Sequence, residues 1–205
     1  MKVVEFDKIR LDAFREISSI ATGNAATSLS AMLGKKVDIT VPNIMVEALE
    51  KVPELLGGSG RIMTVVYFSI SGQVSGSILL VFSSSESLRL VNILTGQKTD
   101  HVECLDEMGI SALKELGNIV IGSYMRVIAD GLKVTIRYSV PGFTYDIMGA
   151  ILEEPLARLS LETQDAVIME SEFIVRENIY RGHLVFILGP QAVNSIIKAL
   201  GSWDV

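Results

Sequence analysis

Sliding the sequence against itself by 99 positions lays residues 12–42 onto residues 111–141 without a gap, and this self-match constrains the fold more than any other feature. Seven aligned pairs are identical: Ala13/Ala112, Glu16/Glu115, Ile20/Ile119, Gly23/Gly122, Leu33/Leu132, Val41/Val140 and Pro42/Pro141. Further on, Gly76-Ser77-Ile78-Leu79-Leu80-Val81 matches Gly182-His183-Leu184-Val185-Phe186-Ile187 after a seven-residue insertion. Two copies are too few for a solenoid, in which each repeat hides its apolar face on stacked neighbours. The pattern predicts an α+β fold: a pseudo-twofold duplication of a helix-strand-strand-strand-helix unit, with two long helices packed on a shared antiparallel sheet. Residues 1–205 are expected to form a single domain of two repeats, about 1–104 and 105–205.

Within each copy the punctuation is explicit. Asp7 offers a helix start, helical spacing continues to Leu33, and Gly34 supplies a stop. Val37 to Val41 alternates like a half-buried strand, and Pro42, which has no N–H to give a ladder, is expected to end it. Lys51 to Arg61, with Pro53 and the glycines of 57–60, reads as a loop. Residues 62–85 carry no charge, yet β-branched residues and a glycine-punctuated middle predict two buried strands there, Ile62–Ile70 and Ser77–Phe82, in place of a membrane span. A short helix from Ser85 to Leu94, closed by Gly96, and a polar connector over 97–104 complete the copy. The second copy predicts a helix from Asp106 to Ala129 with Gly131 beyond it, and a strand from Val134 to Val140 ended by Pro141. Strands Ala166–Arg176 and Gly182–Leu188 and a helix after Pro190 follow.

At 49% hydrophobic residues the chain can bury a sizeable core without covalent staples. One cysteine, Cys104, closes no internal disulfide, and the N-terminus lacks the basic-then-apolar layout of a signal peptide, so a cytoplasmic location is expected, without membrane insertion. A net charge of -6 and a pI near 5.0 argue against a nucleic-acid partner, whose phosphates call for clustered Lys and Arg.

The chemistry-bearing part of the repeat is a helical stripe. At 100° per residue, Ser111, Glu115, Asn118 and Gly122 fall within an arc of roughly 60°, opposite Leu113, Leu116, Val120, Tyr124 and Val127. Asp12, Glu16, Ser19 and Gly23 form the same stripe in the first copy, opposite Phe14, Ile17 and Ala21. A Glu and an Asn three apart on such a stripe are ordinarily solvated surface; the recurrence of the frame, with Glu16 and Pro42 answering Glu115 and Pro141, sets them apart. An exposed ridge without a deep pocket suits docking on another protein.

The pattern Asp/Ser-x3-Glu-x2-Asn-x22-Pro, present once intact and once with Ser19 at the Asn position, resembles the CheC/CheX/FliY family of chemotaxis phosphatases, and the resemblance covers nearly the whole chain. It implies a hydrolase that removes the phosphoryl group from the aspartate of a phosphorylated CheY-type response regulator. Glu115 and Asn118 would be catalytic, with Ser111 and Pro141 as motif support; Pro141 on its own reads as a strand-ending residue. The first copy, Asp12, Glu16, Ser19 and Pro42, is degenerate, because Ser19 stands where the Asn is required. No cofactor or metal of the chain's own is expected, since the regulator brings its Mg2+ and lysine. An Asn amide, donor and acceptor at once, can hold a water in line with phosphorus, and phosphoryl transfer of this kind rests on positioning and electrostatics. The resemblance also implies a second partner, the deamidase CheD, with Asp146 in Tyr145-Asp146-Ile147-Met148 as the contact, although an Asp at a strand end is ordinarily a turn residue. The rival reading, from a different class, is a non-catalytic adaptor for the regulator or for CheD.

Other motifs carry less. Ser111-Ala112-Leu113-Lys114 matches Ser-x-x-Lys of penicillin-recognising enzymes, but Ser-Asp-Asn and Lys-Thr-Gly are missing. His101 and His183 sit in no cluster of metal-ligand spacing, and Gly57–Gly60 lacks the Lys-Ser/Thr of a phosphate loop.

Overall fold

A computed structural model describes residues 8–72, 74–96, 104–152, 165–189 and 192. Helix α1 (Lys8–Leu33) leads to β1 (Val37–Ala48), a 3-10 turn (Leu49–Lys51) and the short α2 (Val52–Leu55). The hairpin β2 (Ile62–Gly72) and β3 (Gly76–Ser83) and helix α3 (Ser84–Thr95) complete the first copy. The second brings α4 (Glu107–Leu132), β4 (Ile136–Tyr138), β5 (Gly142–Ile147), β6 (Asp165–Val175) and β7 (Asn178–Leu188). Asp7, most of the connector at 97–104 and all but Ala192 of the helix after Pro190 lie outside the described residues.

All seven strands form one antiparallel sheet in the order β1-β6-β7-β3-β2-β4, with β5 also on β2. Outward from the central β7–β3 pair, both sides read alike: the second strand of a hairpin, its first strand, then the leading strand of the other copy. The expected α+β duplication is the fold observed, and its copies exchange their first strands.

The uncharged stretch at 62–85 is explained by cover on both faces of the sheet. Val66, Phe68, Ile70, Ile78, Leu80 and Phe82 face a core shared with α1, α3 and α4. Met63, Val65, Leu79 and Val81 face a second cluster with Leu49, Val52, Leu56, Met148 and Leu152. The loop expected at Lys51–Arg61 is therefore partly helical, because Val52 and Leu56 must be buried and Pro53 fits the first helical turn. A helical segment at 148–152, which the periodicity did not signal, covers the same face at the corresponding place in the second copy.

Both prolines sit where the ladder is interrupted, but only Pro42 departs from the expected strand-ending role. Pro42 does not end β1: the register with β6 shifts between Thr40 and Asn43, so the residue without an N–H sits in a bulge and pairing resumes to Ala48. Pro141 falls in a gap, between β4 paired at Ile70↔Tyr138 and β5 paired at Tyr67↔Gly142.

The helix ends follow their caps. The Asp106 carboxylate accepts from the Gly109 amide at 2.7 Å, an N-cap of α4. Gly34, at φ 59°, stops α1 as expected, and the Lys35 amide donates to Ser30 O at 3.3 Å. The second helix does not stop at Ala129; it passes through Gly131 to Leu132, and Lys133 takes the left-handed position at φ 54°, with the Val134 amide on Ala129 O at 3.1 Å. The two closures share this hydrogen bond at equivalent positions, with glycine in one and lysine in the other.

Candidate active site

Helix α4 buries Leu113, Leu116, Gly117, Val120, Tyr124 and Val127 and turns its other side outward. Gly117 is what lets that burial be close: a Cβ there would stand 2.8 Å from Val66 Cγ1 and 3.3 Å from Phe68. On the outward side Ser111 and Glu115 are exposed and Asn118 is half-buried. Asn118 Nδ2 lies 3.5 Å from Glu115 Oε2, at the long limit of a hydrogen bond, so the amide and the carboxylate are neighbours, only loosely tied. Both therefore keep capacity for another molecule.

Pro141 is half-buried at the break between β4 and β5. Just before it, the Ser139 amide donates to Ser69 O at 3.0 Å and the Ser139 hydroxyl accepts from the Ser69 amide at 3.1 Å, pinning the segment to β2. Val140 is left 85% exposed beside it.

On α1 the corresponding side chains are also outward: Asp12, Glu16 and Ser19 are exposed, as is Pro42 in its bulge. Here Asp12, in the place of Ser111, is engaged, its Oδ1 accepting from Arg15 Nη1 at 2.7 Å. Behind the ridge, the buried Ser18 hydroxyl takes the place of Gly117, donating to Phe14 O at 2.7 Å and lying 3.3 Å from Met169 Sδ. The Tyr124 hydroxyl lies beside Ser18 but finds no well-aligned partner among the described residues, and burial pushes it up to about 12 against the lowering contact with Ser18.

Asp146 stands apart from this ridge. It pairs with Met63 on β2, whose side chain belongs to the cluster on the far side of the sheet, and cross-strand partners share a face. Its carboxylate is exposed and accepts from the Ile147 amide at 2.7 Å. His183 on β7 lies opposite Glu170 of β6; burial holds its imidazole below the usual range, against the upward pull of Glu170. Among the described residues no three His, Cys, Asp or Glu side chains group so as to hold a metal ion, and no helix is long and apolar enough to cross a membrane.

One residue near the ridge escaped the sequence reading. Tyr138, the last residue of β4, brings its hydroxyl to 3.1 Å from the position a Cβ on Gly122 would take. The repeat frame held the signal, for its counterpart is the apolar Ile39, 9% exposed.

The helix pair, the exchanged strands and the two ridges define an architecture shared with chemotaxis and motor-switch proteins. Residues 9–46 and 108–145 each match the CheC-like family model, in the same 99-residue frame as the internal repeat. The chain is 26% identical over 197 residues to the CheY-P phosphatase CheC of Bacillus subtilis, covering 94% of each sequence. It is 31% identical over 123 residues to the flagellar motor switch phosphatase FliY of the same organism, covering 60% of this chain and 32% of that one. Among solved structures, FliY of Thermotoga maritima superposes with a TM-score of 0.79 at 23% identity, over 98% of this chain and 100% of that one. The FliM middle domain of H. pylori gives 0.68 at 14% identity, over 94% and 99%. The resemblance to CheC-like chemotaxis proteins thus holds in both repeats.

Proposed function

We propose that this chain is a single-domain phosphatase that hydrolyses the aspartyl phosphate of a CheY-type response regulator, working through one effective site on α4. The observation that carries the reading is that Glu115 and Asn118 stand one turn apart on the open side of a helix whose other side is buried. Their segment matches the CheC-like family, and relatives in that comparison are named CheY-P phosphatases. The regulator docks on the ridge and brings its own lysine and Mg2+. Glu115 pairs with that lysine and sets the register. Asn118 accepts a hydrogen bond from a water and donates through Nδ2, holding the water oxygen in line with phosphorus. That oxygen bonds to phosphorus as the bond from phosphorus to the aspartyl oxygen breaks, leaving inorganic phosphate and a free carboxylate. Asp146, on the far side of the sheet, is compatible with CheD binding while the ridge is occupied.

The test is phosphate release from a phosphorylated CheY-type receiver domain. The native chain should accelerate release, and Asn118→Ala should lose about a hundredfold in rate with little loss of binding. Native-like turnover in Asn118→Ala, alongside intact binding, would leave the adaptor reading in its place.

A further inference from the structure

The approach of Tyr138 to Gly122 brings a third polar group to the ridge. β4 pairs Tyr138 with Ile70, and the ring packs edge-on against Phe68, with centroids 6.0 Å apart and planes at 63°. That packing fixes the ring and aims the hydroxyl at α4. Gly122 lies one turn beyond Asn118 on the same outward stripe, and Cβ bonds on a helix tilt toward its N-terminus. A hydroxyl 3.1 Å from the missing Cβ therefore stands against α4 one helical turn from Asn118. Residues four apart are separated by about 6 Å along a helix axis. A hydroxyl held at the level of Gly122 is thus set along the helix from the Asn118 position by about the span of one water bonded to two groups at about 2.8 Å each. A phenol, like an amide, both donates and accepts. Tyr138 is 41% exposed, so the water has access.

The first copy supplies a contrast. There Ile39 replaces Tyr138, and a Cβ on Gly23 would meet nothing within 4 Å. The groups able to fix a water from two directions occur together only on the α4 side.

We propose that the Tyr138 hydroxyl is the second holder of the attacking water, a positioning residue that works with Asn118. The proposal rests on the phosphatase reading above. Its test is steady-state phosphate release from a phosphorylated CheY-type receiver domain by the native chain, Asn118→Ala, Tyr138→Phe, Gly122→Ala and the Tyr138→Phe/Gly122→Ala double variant. Tyr138→Phe keeps the ring on Phe68; kcat should fall about three- to tenfold with KM unchanged. Gly122→Ala favours the helix and nudges the hydroxyl aside, so kcat should fall about two- to fivefold even if the phenylalanine variant folds poorly. The double variant should be no slower than Tyr138→Phe, because both changes act on one group. Native kcat in Tyr138→Phe, a change confined to KM, or additive losses in the double variant would each overturn the role of Tyr138 while Asn118→Ala remains slow. An inert native chain, or an Asn118→Ala variant as fast as the native one, would instead remove the phosphatase reading and this proposal with it.

Discussion

Helices α1 and α4 carry the same frame of residues, close on an equivalent backbone hydrogen bond and pack on the same sheet, yet their outward stripes have diverged. On α4 the stripe holds an amide, a carboxylate loosely tied to it and a neighbouring phenol. On α1 it holds a hydroxyl, the equivalent carboxylate of Glu16 and an aspartate tied to Arg15, with open space over Gly23. The buried sides differ as well: Gly117 and Tyr124 on α4 stand where α1 has Ser18 and Ala25, all four buried. Duplication has preserved what positions a helix and released what the helix presents.

The sharpest way to break this comparison is to truncate the two aligned residues. Asn118→Ala should cost about a hundredfold in phosphate release and Ser19→Ala less than about twofold, since an ångström-scale error in water placement already accounts for the larger figure. Equal losses would show that both stripes work. Ser19→Asn tests the converse, and a gain in release that survives in an Asn118→Ala background would show that α1 needs only the amide.

The buried sides separate in alkali. The Tyr124 hydroxyl is held neutral by burial, up to about 12 from an ordinary value of 10.0, so its contribution is complete below pH 10 and is lost as pH rises through 12. Urea unfolding of the native chain compared with Tyr124→Phe should diverge by about 2–3 kcal/mol across that window, with the phenylalanine variant keeping its stability. Near neutral pH the two should be close, because the hydroxyl lacks a well-aligned partner.

Exchanging the residues behind the ridges comes next. Gly117→Ser puts a Cβ at 2.8 Å from Val66 Cγ1, and overpacking of this kind should destabilise by about 1–3 kcal/mol, read from the urea midpoint. The smallest effect concerns the helix ends: Lys133→Gly, which copies Gly34 into the second closure, should stabilise by about 1 kcal/mol by relieving a left-handed lysine. A destabilised Lys133→Gly would mean that the lysine side chain contributes more than the φ 54° conformation costs.

These differences show what the residues disclosed and what they withheld. The self-match and the switch from helical to strand periodicity were enough for the α+β duplication, the two uncharged strands and the outward placement of Glu115, since each rests on local pattern. Pro42 misled because a bulge lets a proline lie within a strand when pairing can resume beyond it, and only β6 on the other side supplies that pairing. The segments 49–55 and 148–152 were hidden because their burial depends on a second face of the sheet, which no short-range pattern specifies. Tyr138 was legible only as a break in the repeat at Ile39; its meaning needed the approach to Gly122.

The exchange of leading strands also bears on how the chain reaches this state. β1 finds its partner in β6, with Val37 against Val175 and Ala48 against Asp165, while β4 and β5 pair back onto β2. Neither copy can complete its half of the sheet from its own residues, so the first has to wait until nearly the whole chain has emerged from the ribosome. Closing loops of that length is entropically costly and makes folding slow compared with a chain of local contacts. Until β6 arrives, the edge of β1 has no native partner, a window in which a chaperone or a second nascent copy competes for it.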